Sequence, residues 1–434
     1  MNIYLVIILL IIAGDFILGL VIDSLNMRHV STVLPEEFAG WYDAERYRKS
    51  QDYLKENTRF RLLVDSITTP ITVAFILLGG FNLVDLAARS FGMGSIPTGL
   101  VFAGMLMLAS QLLSIPPSIY STFVIEEKYG FNRTTPRTFI MDLLKGWLLT
   151  LVIGGAIFSC ILWFFEQTGA FAWIYCWLAV VMFQLIITYL APVVILPLFN
   201  KFYPLEDGEL KEAILRYARE QHFALKGVFV MDASRRSAKS NAFFIGFGKY
   251  RRIVLYDTLV KKHSVDELVS ILAHEMGHYK KRHILKSLLL SILTTGLMFF
   301  ILSRFINNPA LFSAFKMEHL SIYASLFFFG FLYTPISLLL SIAGKVLSRK
   351  HEFESDAYAA QTYKKPGAMI AALKKLTVDN LSNLTPHPAK VFLSYSHPPV
   401  LQRVRALKTY PDEAGCMPAA APADAREMVT DATN

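Results

Sequence analysis

His274-Glu275-Met276-Gly277-His278-Tyr279-Lys280-Lys281-Arg282-His283, followed at once by the apolar run Ile284–Ile306, is the stretch on which the fold turns. It couples an H-E-x-x-H helix to a segment long enough to cross a bilayer. A spacing of four puts both imidazoles on one helix face, where they can share a tetrahedral Zn2+. Glu275 stands beside them, where its carboxylate can take a proton from water and hand it to a leaving amine. Ser264 and Glu267, three apart, make a capping box that starts the helix. The competing reading is a helix with two incidental histidines. At typical residue frequencies such a match arises by chance in roughly 1% of chains this long.

The pair calls for a third ligand on another helix. Downstream stands Arg349-Lys350-His351-Glu352-Phe353-Glu354-Ser355-Asp356. Glu352 and Asp356 are four apart and share a face. One carboxylate can bind the ion while the other accepts the free N–H of a ligand histidine. In isolation the same run reads as the solvated start of a charged helix. His283 and His351 compete for the third position. However, His283, five residues past His278, lies about 140° off its face, and His351, next to Glu352, points elsewhere.

The rest of the chain fits a membrane setting. Of 434 residues, 54% are hydrophobic and 18% charged, against about 25% charged in soluble domains, and the mean hydropathy is +0.42. These values exclude a purely soluble enzyme, a disordered chain and a fibrous one. Seven stretches can span: Ile3–Ile22, Ile67–Leu86, Thr98–Phe123, Trp147–Phe165, Phe171–Phe199, Ile284–Ile306 and Leu320–Val346. The formal charge of +9 is that of loops obeying the positive-inside rule, not of a nucleic-acid-binding stripe. Arg28, Arg46, Arg48, Lys49, Lys55, Arg59 and Arg61 follow the first span, and Lys128, Arg133, Arg137 and Lys145 follow the third. This places the N-terminus outside or lumenal, with the odd loops and the C-terminal region cytoplasmic, in a bacterial inner membrane or an ER-type membrane. Asp15, Asp65, Asp85 and Glu166 lie in or at the ends of spans. Asp15 is the one deep enough to require a polar partner or water; the others read as interfacial. Cys160, Cys176 and Cys416 lack zinc-ligand spacing and read as structural.

Between spans five and six the composition turns charged. Glu209–Gln221 reads as an amphipathic helix, and Gly227–Met231, Ala242–Phe247 and Arg252–Tyr256 as strands, with a turn at Gly248-Lys249-Tyr250. The expected organisation is spans one to five over 1–199, a first peptidase part over 200–283, spans six and seven over 284–346, a second peptidase part over 347–409, and a flexible tail over 410–434.

With these pieces in place the chain resembles the M48 zinc metallopeptidases, in particular their integral-membrane branch, the type I CAAX prenyl proteases. The resemblance rests on Ser240-Asn241-Ala242-Phe243-Phe244-Ile245-Gly246-Phe247, Arg252–Leu259, His274–His278, Glu352–Asp356 and Tyr395-Ser396-His397-Pro398-Pro399, in that order. It implies His274, His278 and Glu352 as zinc ligands, Glu275 as general base and acid, and Asp356 as the partner of a ligand histidine. It further implies Asn241 and Ala242 as substrate contacts on an edge strand, to which an extended peptide could add. His397 is implied as a donor to the oxyanion, and Arg403 as a substrate-side residue holding that segment. The eukaryotic pattern has tyrosines where Phe243 and Ile245 stand here. The implied fold is seven helices around a large water-filled chamber closed by a mainly helical zincin-like domain with a small sheet. The implied partners are one Zn2+, a peptide or protein substrate, possibly prenylated, and the lipid bilayer. The alternatives are a broad-specificity quality-control peptidase, a transporter, for which no inverted repeat is visible, and an inactive scaffold, against which Glu275 speaks.

Overall fold

The structure is a computed structural model that describes residues 2–245 and 252–412. Seven helices are long and apolar enough to cross a membrane. They are α1 (Ile3–His29), α2 (Ala44–Leu77), α4 (Ser95–Glu126), α5 (Pro136–Gln167), α6 (Gly169–Phe199), α9 (His283–Leu302) and α10 (Ile322–Tyr363). A short helix, α3 (Gly80–Arg89), follows α2. The number agrees with the sequence reading, but span two does not lie at Ile67–Leu86. The chain leaves the helix at Leu77, and Gly79 adopts φ 78°, a left-handed turn that glycine enters without penalty. The apolar run continues past this break, so hydropathy alone could not locate it. The true second span begins among the charges of Ala44–Arg61.

Each helix packs on its neighbours in the order α1, α2, α4, α5, α6, α9, α10 and back to α1, which closes a ring. In the apolar windows of these helices only 0% to 22% of residues are buried. A solid bundle would bury a whole stripe of each helix, so the ring is hollow. It is sealed at the end away from the sheet. There Tyr323 of α10 meets the Phe102 ring at 5.2 Å and Phe327 meets Phe158 at 6.2 Å. Asp15 projects into a cavity of about 500 Å³ that it shares with Asp65, Thr334, Lys345 and Lys390, which supplies the polar surroundings its depth requires. Asp85 lies in α3, just past the end of α2, and is fully buried, accepting hydrogen bonds from Tyr323 Oη at 2.5 Å and Arg89 Nε at 2.8 Å. Cys160 and Cys176 are both free thiols.

The remaining elements form the unit that carries the motif. A four-stranded sheet runs in the order β1-β2-β4-β3, with β1 Phe202–Pro204, β2 Gly227–Met231, β3 Ala242–Ile245 and β4 Arg252–Tyr256. The β2–β4 pair is parallel and the other two are antiparallel. The sequence carried β3 on to Phe247. Gly246, Phe247, the turn at Gly248-Lys249-Tyr250, Cys416 and the tail beyond Asp412 lie outside the described residues. The sheet packs against α7 (Glu209–Glu220) and α8 (Val265–Lys280). Ile214, Ile253, Leu255, Leu268, Leu272 and Met276 supply the buried centre. α10 then enters: at 42 residues it is about 63 Å long, twice the thickness of a bilayer core. Its second half leaves the apolar region and lies along α8, with α11 (Pro366–Asp379), α12 (Pro388–Ser394) and α13 (Val400–Leu407) around it.

Candidate active site

The capping box expected at Ser264 is present, with Glu267 closing it on the N-cap backbone. It fixes the phase of α8, so His274 and His278 project from one side toward α10. Their Nε2 atoms lie 3.2 Å apart. Glu352 comes in from α10, with Oε2 3.4 Å from His274 Nε2 and Oε1 3.3 Å from His278 Nε2. Ligands held tetrahedrally about 2.05 Å from an ion are separated by about 3.3 Å. The three separations match that edge. Glu352 Oε2 is buried and makes no hydrogen bond of its own, with the Arg403 guanidinium as the charge beside it, so the oxygen keeps a lone pair free for a cation between the ligands. Among the described residues this is the one group of three metal-ligating side chains that converges in this way. The residues present therefore fit a metal ion.

Behind the ligands the polar groups continue. His274 Nδ1 lies 2.8 Å from Asp356 Oδ1. Asp356 in turn accepts from Arg403 through Nε at 2.8 Å and Nη2 at 2.6 Å, a two-pronged contact. Arg403 Nη1 also sits 3.3 Å from Glu352 Oε2. Burial works against the His274 cation, but the Asp356 and Glu352 carboxylates outweigh it and raise the imidazole pKa to about 9. An arriving cation must displace that proton, so metal uptake is favoured by higher pH. Burial holds the Glu275 carboxyl above the ordinary glutamate range, with His274 and His278 opposing the shift.

The family assignment can now be made. A family described as "CAAX prenyl protease N-terminal, five membrane helices" matches residues 24–201, and peptidase family M48 matches residues 204–410. The chain belongs to peptidase family M48. It is 36% identical over 383 residues to a CAAX prenyl protease 1 homolog of Oryza sativa subsp. japonica, covering 86% of this chain and 90% of the relative. It is 34% identical over 403 residues to CAAX prenyl protease 1 of Saccharomyces cerevisiae, covering 87% and 88%. The crystal structure of S. mikatae Ste24p superposes with a TM-score of 0.89 at 31% identity, covering 93% of this chain and 99% of that one. This M48 chain is a multi-pass membrane metallopeptidase.

The structure brings some of the expected residues together and sets others apart. His274, His278, Glu352 and Asp356 converge, with Glu275 next in sequence on α8. Asn241 is exposed at the start of β3, the outer strand of the sheet, and its carbonyl accepts from Tyr256 N–H on β4. Ala242 packs against the core that includes Ala273 and Met276 of α8. His397 is 64% exposed, with Nε2 3.4 Å from Glu352 Oε1, on the open side of the ligands. Arg403 is not on that side: its residue is 8% exposed, and its guanidinium engages Asp356, behind His274, and the ligand carboxylate Glu352. A position three residues past Pro399-Val400 gave no hint of this, because the direction is set by how α13 packs on α10.

Two features escaped the sequence reading. α8 does not run on to His283: it ends at Lys280, Arg282 takes φ 58°, and α9 starts anew. The angular argument against His283 assumed a continuous helix and fails with it. Gly277, an unconstrained position of the H-E-x-x-H pattern, is where α8 touches α10. A Cβ there would lie 3.0 Å from Ser355 Cα and 3.2 Å from its carbonyl oxygen. Backbone cannot yield as a side chain would. Gly277→Ala is therefore expected to cost about 1–3 kcal/mol through overpacking. By pushing Glu352 away from the histidines it should also weaken metal binding by about tenfold or more. Competition with a chelator measures this, and an unchanged affinity would refute the close approach as the device that sets the ligand spacing.

Proposed function

We propose that this membrane metallopeptidase is a zinc endopeptidase that cuts near the C-terminus of prenylated peptides of the C-a-a-X type. The observation that carries the reading is the three-ligand cluster lying beneath a hollow ring of membrane helices, in a chain that is similar over most of its length to CAAX prenyl proteases. His274, His278 and Glu352 would hold one Zn2+ per chain. When bound, the ion polarises the scissile carbonyl and acidifies water. Glu275 takes a proton from the attacking water and delivers it to the leaving amine. The peptide lies extended along the free edge of β3, with Asn241 and Ala242 gripping its backbone. His397, open to the substrate side, donates to the developing oxyanion. Asp356 and Arg403 keep His274 and Glu352 aimed. The basic residues beside the odd loops support a cytoplasmic peptidase domain and an outside or lumenal N-terminus. A reporter fused after Asn434 that surfaced outside the cell would overturn that orientation.

The test is product analysis by mass spectrometry with the full-length protein in detergent. A farnesylated C-a-a-X peptide should lose its three C-terminal residues, its unprenylated twin should be cut far more slowly, and Glu275→Ala should cut neither. Equal cleavage of both peptides would remove the prenyl requirement and point to a broad quality-control role. Cleavage that survives Glu275→Ala would sink the mechanism.

A further inference from the structure

His274 has a carboxylate behind it; among the described residues His278 has none facing its Nδ1. To bind an ion through Nε2, each neutral imidazole must carry its proton on Nδ1, and a buried N–H needs an acceptor. For His274 that acceptor is Asp356. For His278 the facing atom is Nδ1 of His283, at 3.1 Å. Two imidazole nitrogens at that distance need one hydrogen between them, and ligation places it on His278. His283 Nδ1 is then the acceptor, so its own proton sits on Nε2, which faces Glu354 Oε2 at 2.8 Å. Each nitrogen in the row has a matching role. Ser355 Oγ also approaches His283 Nδ1, at the longer distance of 3.4 Å.

The row is firmly built. His283 is 3% exposed, and its ring stacks on His351 at 3.9 Å with planes 9° apart, so it cannot swing away from His278. Glu354 stands at the outer end, within 3.8 Å of Lys350 Nζ. The whole arrangement depends on the break between α8 and α9. Arg282 occupies left-handed backbone space at φ 58°, which a non-glycine residue adopts at a cost of order 1 kcal/mol. That turn swings His283 back against the motif helix.

We infer that His283 is a positioning residue for the metal site, which fixes the ring orientation and tautomer of His278 and is itself fixed by Glu354 and His351. The two ligand histidines are thus held differently, one by a carboxylate gripped by arginine and the other by a neutral ring. The inference rests on the metal-site reading given above.

The experiment uses full-length protein in detergent and measures zinc affinity by chelator competition with metal analysis, with the visible spectrum of the cobalt(II)-loaded protein as a second readout. His283→Leu should weaken zinc binding about 10- to 100-fold and alter the cobalt spectrum, while His283→Gln, whose carbonyl can accept the same proton, should stay within about threefold of the parent. Unchanged affinity in His283→Leu, or equal losses in both variants, would overturn the inference, since the second result is what a packing role alone gives. If His283→Leu does not fold, Glu354→Leu decides: a loss of about threefold or more is expected, and no loss overturns the relay. His274→Ala is the control. Should it retain stoichiometric zinc, the metal-site reading itself fails, independently of His283.

Discussion

Glu275→Gln is expected to lower kcat by about 10³-fold while bound metal and melting temperature stay where they are. The reasoning is geometric and electrostatic. Glu275 sits between the two ligand histidines in sequence and makes no hydrogen bond or salt bridge among the described residues, so the amide substitution removes no structural contact. What it removes is a group that accepts a proton. Burial raises the carboxyl above the ordinary glutamate range. The reaction needs the ionised form, so activity should fall as pH drops through that raised value. The acid limb of kcat/KM should therefore lie above the range of an ordinary glutamate. A variant that keeps more than a tenth of the parent kcat with full metal occupancy would remove Glu275 from the proton transfer.

Arg403→Leu should be the most damaging change away from the ligands themselves. Its guanidinium is buried and contacts both Asp356 oxygens and Glu352. Without it Asp356 keeps only His274 as a partner and Glu352 only the metal, and the charge that Arg403 balanced stays buried. Breaking such a buried pair costs about 3–5 kcal/mol. The expected result is a lower melting temperature and a loss of zinc affinity of about 10-fold or more. Arg403→Lys should rescue little, because one ammonium cannot make the forked contact and reach Glu352 as well. Asp356→Asn should be milder in stability, since it removes one of the charges that Arg403 balances. Equal melting temperatures for Arg403→Leu and the parent would show that the carboxylates find other partners.

These two positions also show how unevenly the site could be read from sequence. His274, His278 and Glu275 follow from a four-residue spacing on one helix, and Glu352 with Asp356 from the same spacing on another. Local periodicity fixes such faces, and the capping box at Ser264 sets where the first one starts. The seven spans are legible for a similar reason: apolar length is a local property. What periodicity does not carry is where a helix stops for tertiary reasons. The break at Gly79 lies inside an apolar run, and the one at Arg282 has no glycine or proline to mark it. His283 was set aside as a ligand by an angle counted along one continuous helix, which the second break interrupts. Arg403 was expected near substrate for a related reason, since its direction depends on how α13 packs against α10. Gly277 shows the converse: a residue the motif leaves free is constrained by a neighbour some eighty positions later.

α10 has a mechanical consequence. Ile322 to Glu352 is thirty residues of one helix, a lever arm of about 45 Å. One degree of tilt at its membrane end displaces the Glu352 end by about 0.8 Å, more than the roughly 0.5 Å within which a working site must hold its groups. A helix can answer a change in lipid thickness by tilting, within the limits set by its neighbours, so the bilayer has some leverage over the centre of the enzyme. The backbone contact of Gly277 with Ser355 is what keeps that leverage from spreading the ligands. It clamps the histidine helix to the lever, so the three ligands ride together, and β3, whose Ala242 and Phe244 pack on the same core, rides with them.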